Sequence, residues 1–351
     1  MKYSILRHVG ATAMCATLMC LSVSCRKDLC YDHFRKSAVT LDYEQEWERD
    51  YGRKWSESWH DGLNGQSYDL MRPGVPSTVS MGVYPSEGQN PYEVYLEAGG
   101  GEASLGQGPY DILFYNNDTE YVVINDIASL PKATATTRSR SRATLLDMHY
   151  GERTVSPPDV LYGAYVEGVA DVGAHNSTPI LATLRPLVYT YVVRYEIEEG
   201  LDGVALVRGA LAGMAESVYL LDGSTDASSA TVLFDGDLTS WGAVANVRTF
   251  GVPDYPGDHY NRSDKESPAR FTLNLEVRLT DGSIKSYNYD VSDQMADQPR
   301  GGIITVSGIR IDPPVPSGGG GSGFVTDVDD WGEWVDVDLP ITGAQHNPDS
   351  N

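Results

Sequence analysis

Apolar and polar positions alternate in short runs along this chain, and the runs are separated by turn residues. The first is Ser37-Ala38-Val39-Thr40-Leu41-Asp42-Tyr43, with Val39, Leu41 and Tyr43 on one face. Ser77 to Pro85 and Tyr92 to Glu97 repeat the pattern. Tyr110 to Tyr115 and Tyr121 to Ile124 flank Asn116-Asn117-Asp118, which predicts a hairpin. Val160 to Val166 closes the first half, and the turn-rich Asp171 to Pro179 reads as a boundary. Ile180 to Ile197 is the most continuous apolar run and is apolar on both faces, so it is expected centrally in a second sandwich. Val204 to Val218 is expected as a strand, Val204 to Arg208, followed by a loop broken at Gly209 and Gly213, or else as a short helix. Strands at 230–234, 244–250, 271–280, 284–291 and 303–311 follow. Thr280-Asp281-Gly282-Ser283 serves as the turn of a hairpin. Helical periodicity is scarce, and the pattern as a whole is that of an all-β protein of sandwich type.

Three stretches break the alternation. Met1 to Ser24 has a basic start at Lys2 and Arg7, then an uncharged, mostly apolar run to Val23 that is too short to span a bilayer. It fits an export signal. Small residues lead into Cys25, which suits cleavage before that cysteine and acylation of its thiol, although Leu21 stands four residues ahead rather than three. An ordinary secretory signal is the alternative. The second stretch, Thr134 to Ala143, lacks apolar periodicity and carries Arg138, Arg140 and Arg142. It is expected as an exposed loop open to an arginine-specific protease, or as a plain solvated loop. The third begins with the Pro/Gly linker 313–323. A tail follows with no Lys or Arg, in which Trp334 to Leu339 reads as a strand. That strand either adds to a partner's sheet, folds back on its own second domain or stays disordered. The expected segments are therefore 1–24 (signal), 25–178 and 179–312 (two β-sandwiches) and 313–351 (linker and acidic tail).

Composition narrows the function. The 351-residue chain has net charge −23, and loss of Lys2 and Arg7 with the leader takes it to −25. Such a surface repels nucleic acid and anionic lipid headgroups, so nucleic acid is not an expected partner and membrane attachment falls to acyl chains. Of the four cysteines, Cys15 and Cys20 leave with the signal, and acylation of Cys25 leaves Cys30 without an intramolecular partner. Cys30 is then either a reactive thiol or a small buried hydrophobe. No GxSxG, HExxH, phosphate-binding glycine loop or CxxC pair occurs, and the seven histidines are scattered, so neither an enzyme nor a cofactor is expected. The acids between Asp327 and Asp338 lack the spacing of a calcium loop, and no metal site is assigned. Trp47, Trp55 and Trp59 are candidate glycan contacts, or else pack on the end of a sandwich.

Several of these stretches together resemble a family of Bacteroidales lipoproteins of unknown function related to the FimB/Mfa-type fimbrial anchor proteins. They are the opening Cys25 to His33 with its Asp28-Leu29-Cys30-Tyr31-Asp32-His33, the Arg138 to Leu145 run, Leu187 to Tyr195, Val291 to Met295 and the closing Gly318 to Trp331. The resemblance implies two tandem transthyretin-like Greek-key β-sandwich domains after a lipoprotein signal peptide. It also implies an outer-membrane lipid anchor at Cys25 and fimbrial pilin subunits as partners. The function expected on that basis is a non-enzymatic anchor or assembly subunit that binds a pilin by strand addition. A glycan-binding surface lipoprotein is the alternative.

Overall fold

A computed structural model describes residues 35–44, 72–86, 89–105, 109–141, 149, 151–169, 179–257, 270–296, 298–312 and 335–337. Cys25, Cys30, Trp47, Trp55, Trp59 and Arg142 lie outside these residues, as do the signal and most of the tail.

The expectation of an all-β chain holds. The strands in chain order are β1 (Arg35–Tyr43), β2 (Thr78–Pro85), β3 (Tyr92–Glu97), β4 (Gly100–Leu105), β5 (Tyr110–Asn116), β6 (Val122–Asn125), β7 (Thr134–Thr137), β8 (Ser139–Ser141) and β9 (Arg153–Val155). They continue with β10 (Tyr162–Val169), β11 (Ile180–Pro186), β12 (Tyr189–Glu199), β13 (Val204–Ala215), β14 (Val218–Tyr219), β15 (Ser229–Thr239) and β16 (Gly242–Thr249). The last are β17 (Thr272–Leu279), β18 (Ile284–Asp290), β19 (Gly302–Arg310) and β20 (Val335–Val337). A short α-helix, Ser292–Met295, lies before β19.

The N-terminal sheet closes into a barrel in the order β1-β11-β10-β5-β2-β3-β4, with β4 returning to β1. Closure removes the free edges that an open sheet would leave. Its core takes the alternate residues Val39 and Leu41, Val79, Met81 and Val83, and Ile112 and Phe114. The C-terminal sheet runs β18-β17-β13-β15-β16-β12-β19 and folds over a second core holding Tyr191, Val193 and Tyr195 with Leu273, Leu275 and Val277. The two core tyrosines keep their hydroxyls satisfied. Tyr191 donates to the Gln298 carbonyl at 2.7 Å and Tyr195 to the Asn274 carbonyl at 2.8 Å. A third sheet, β14-β7-β6, is small. A third core (Leu113, Tyr115, Ala135, Leu187, Val218, Leu220) joins it to both larger sheets.

Four local expectations are corrected here. β5 and β6 do not form a hairpin, because β5 pairs with β2 and β10 while β6 pairs with β7. The reason lies in β5 itself: Ile112 and Phe114 fill the barrel while Leu113 and Tyr115 fill the third core, so β5 is buried on both faces. The run Ile180 to Ile197 is two strands in two sheets. β11 pairs with β1 and β10 in the barrel, and β12 pairs with β16 and β19, so the crossover falls at Leu187-Val188 rather than before Ile180. β13 continues through Gly209 and Gly213. A Cβ on Gly209 would stand 2.3 Å from the Phe234 ring, and Gly213 (φ +88°) lies in a register shift between Leu211 and Met214. Thr134 to Ser141 is not a loop but the pair β7 and β8. The 280–283 hairpin is as expected, with Arg278 opposite Ile284 and the Asp281 carboxylate accepting from the Ser283 amide at 2.9 Å.

Candidate functional site

Among the described residues, one sheet edge is extended by a segment from the chain's own tail. β8 lies antiparallel to β20, with Val335 opposite Ser141, Asp336 opposite Arg140 and Val337 opposite Ser139. On its other side β8 meets β9 at Ser139 and Val155, and β9 runs parallel to β15 from Ala230 to Val232. The acidic tail therefore extends the C-terminal sheet in the order β15-β9-β8-β20. Of the three expectations for the tail, its β20 segment takes the one in which it folds back.

The receiving edge is tightly held. The Glu152 side chain, 9% exposed, accepts the Ser229 hydroxyl at 2.6 Å, the Thr231 hydroxyl at 2.7 Å and the Gly213 amide at 3.2 Å. His149 Nδ1 lies 2.9 Å from the same carboxylate. Burial pushes the Glu152 pKa upward, but the bonds from His149, Ser229 and Thr231 outweigh it and hold the carboxyl below its ordinary range. The same bond raises His149 above the ordinary imidazole value against its own desolvation. Next along the chain, Arg153 donates to Glu216 at 2.6 Å and to the Ser139 hydroxyl at 2.8 Å, which ties β9 to both β8 and the end of β13. The Ser156 amide donates to the Arg138 carbonyl at 2.9 Å, and the Thr137 hydroxyl donates to the Ser156 carbonyl at 3.1 Å.

Of the arginines singled out in the sequence, Arg138 is exposed, whereas Arg140 is half-buried with its guanidinium 5.7 Å from the centre of the Tyr121 ring. Both sit in or beside a paired strand, a poorer protease substrate than the expected loop because cleavage needs extended chain free of a ladder. Arg153, Glu152 and His149 were not singled out from the sequence. Their only sequence signal is a polar cluster, His149 to Arg153, just before a Thr-Val pair.

Comparison with known proteins places this geometry. Residues 71–235 match a domain of unknown function, DUF5119, spanning most of the barrel, the small sheet and the β8–β9–β15 junction. The chain is 26% identical over 302 residues to a Bacteroides ovatus protein named as a fimbrium anchoring subunit, Fim4B, covering 78% of this chain and 88% of that one. The chain is thus similar in sequence to a protein named as a fimbrium anchoring subunit. In fold it is similar to a Bacteroides ovatus protein described as an adhesin, at TM-score 0.56 and 20% identity over 84% of this chain and 98% of the other. The fimbrial anchor protein Mfa2 of Porphyromonas gingivalis superposes more loosely, at TM-score 0.39 and 14% identity over 77% and 90% of the two chains.

Proposed function

We propose that this chain is a non-enzymatic outer-membrane lipoprotein that anchors or assembles a fimbria-like filament, held by acyl chains on Cys25 and joined to a pilin by strand addition. Kinship to a protein named as a fimbrium anchoring subunit supports the filament. The pairing of β20 with β8 is the observation that supports the strand-addition reading, because a segment of the chain's own tail already extends the sheet at that edge. The partner's strand takes the place of β20 on β8, or β20 swings out to an edge of the pilin. In either case backbone hydrogen bonds supply affinity and the ladder sets register.

The test is a photo-crosslinking amino acid at the exposed Ser141 in intact cells, followed by shearing and mass spectrometry of the crosslinked species. Crosslinks to a filament subunit are expected. Crosslinks confined to the chain's own tail overturn strand addition at β8. In parallel, Cys25→Ala releases the protein from the membrane fraction, and retention there ends the lipid-anchor reading.

A further inference from the structure

A cleft of about 690 Å³ opens between the small sheet and the C-terminal sheet. One wall is a face of the three-stranded sheet. Cross-strand register puts Tyr219 opposite Thr134 and Thr134 opposite Asn125, with Thr136 two positions along from Thr134, so all four side chains stand on one face. The opposite face, with Ala135 and Val218, is in the third core. The other wall belongs to the C-terminal sheet and its loops and presents the Arg153–Glu216 pair, Ser217, Asp226 and Ser228. Asp126 (φ +51°) turns the chain at the rim, a left-handed conformation that costs a non-glycine residue energy and is common around ligand sites.

The lining has a definite chemical character. The side chains of Asp126, Lys132, Thr134 and Ser217 and the hydroxyls of Tyr219 and Ser228 carry no hydrogen-bond or ionic partner among the described residues. Hydroxyls both donate and accept, as does the Asn125 amide, whose nitrogen already donates to Thr136 at 3.1 Å. Ile124 and Pro131 are too little apolar surface for an acyl chain. Arg153 is neutralised by Glu216, which leaves Lys132 facing Asp126 and Asp226, so the cleft has no net attraction for a phosphate or carboxylate. The wall is a sheet face rather than an edge, so it offers no ladder to an extended peptide. The unpartnered hydroxyls fit a ligand dense in hydroxyls with one apolar flank to lie on a ring, and the half-buried Tyr219 supplies that ring. The volume suits one to three sugar rings, being within the roughly 300–1,000 Å³ of ordinary ligand sites.

We infer that this cleft is a glycan-binding site in which Tyr219 carries the sugar face while Asn125, Thr134, Ser217 and Asp226 bond its hydroxyls. The inference is independent of strand addition at β8, since the cleft lies on a sheet face and needs no edge.

The test applies the purified full chain to an array of mucin-type and plant cell-wall oligosaccharides, with titration of the best-bound glycan. Tyr219→Ala is expected to weaken binding about tenfold or more, a change of about 1.4 kcal/mol. Thr134→Val, which keeps shape and removes a hydroxyl, is expected to weaken it severalfold. Tyr95→Ala, at a tyrosine 68% exposed on the barrel, should leave it unchanged. Absence of any bound glycan overturns the inference. So do equal affinities for wild type and both cleft variants, an equal loss in Tyr95→Ala, or selection of a peptide ligand by the cleft in a phage-displayed library.

Discussion

Glu152 fixes the receiving edge, and its removal makes a quantitative test. In Glu152→Ala the four groups that meet the carboxylate lose it together. Ser229 and His149 are half-buried and recover hydration. Thr231 is 3% exposed and the Gly213 amide is buried, so these two remain unpaired in the interior. Each buried polar group left unpaired costs about 1–3 kcal/mol, which gives about 2–6 kcal/mol for the pair, centred near 4. For a unit of some 150–250 residues, about 4 kcal/mol corresponds to a fall in Tm of roughly 8–16 °C. Glu152→Gln keeps the size and one carbonyl acceptor and should lose about half as much.

Thermal unfolding followed by circular dichroism at pH 6 measures the total. Amide exchange at Ser139, Arg140 and Ser141 measures where it falls, since these residues hang on β9 and through it on Glu152. Faster exchange in β8 with little change in the barrel strands β2 and β5 is the expected result. A Tm within 2 °C of wild type, or loss of protection spread evenly over both sheets, refutes the assignment of Glu152 as the clip that holds this edge.

Two further outcomes follow from the same structure. The His149–Glu152 pair is complete only between the ordinary values of its two groups. Glu152, lowered from 4.5, contributes stability above pH 4.5 that is lost as pH falls through its folded value. His149, raised from 6.5, contributes fully below pH 6.5 and loses that contribution as pH rises through its folded value. The Tm difference between wild type and His149→Gln should therefore peak near pH 5.5 and shrink by pH 9; a pH-independent difference contradicts the pairing. In the C-terminal sheet, Arg208 donates to Glu276 at 2.6 Å with the two side chains 7% and 1% exposed. Glu276→Ala should cost about 3–5 kcal/mol by removing the carboxylate that the buried guanidinium donates to, while Arg208→Met with Glu276→Leu recovers most of it. Denaturant unfolding of both variants decides, and losses that simply add would rule out the pair.

How much of this was legible in the sequence depended on whether a strand has one buried face or two. β17 and β18 follow the alternation and their turn sequence, and the hairpin is where the sequence puts it. β17 nonetheless departs on its second face, where Asn274 and Glu276 are buried rather than solvated. Burial of both faces also explains the misread pairings. The Tyr110 to Asn116 run gives no sign that Leu113 and Tyr115 serve a third core, so the sequence points to its neighbour along the chain rather than its neighbour in space. The unbroken apolar character of Ile180 to Ile197 hid a change of sheet at Leu187-Val188, because both residues are themselves in that third core. β7 and β8 were lost for the opposite reason, since Thr, Ala, Ser and Arg carry no apolar alternation. The β-branched Thr134, Thr136 and Thr137 were the one available signal.

The tail shows why such short strands matter for the proposed role. β20 contributes three residue pairs to its ladder, and a ladder of that length offers only a few backbone hydrogen bonds, each worth about 0.5–1.5 kcal/mol net. Ordering each tail residue costs roughly 1–2 kcal/mol of backbone entropy, so the two terms nearly cancel. The receiving strand is in a different position: Arg153 holds it at Ser139, and β9, one strand further in, is locked to the core sheet by Glu152. A firm edge with a weakly held occupant is the asymmetry that exchange requires. In the proposed exchange a partner strand would take over this ladder at an edge that is already formed.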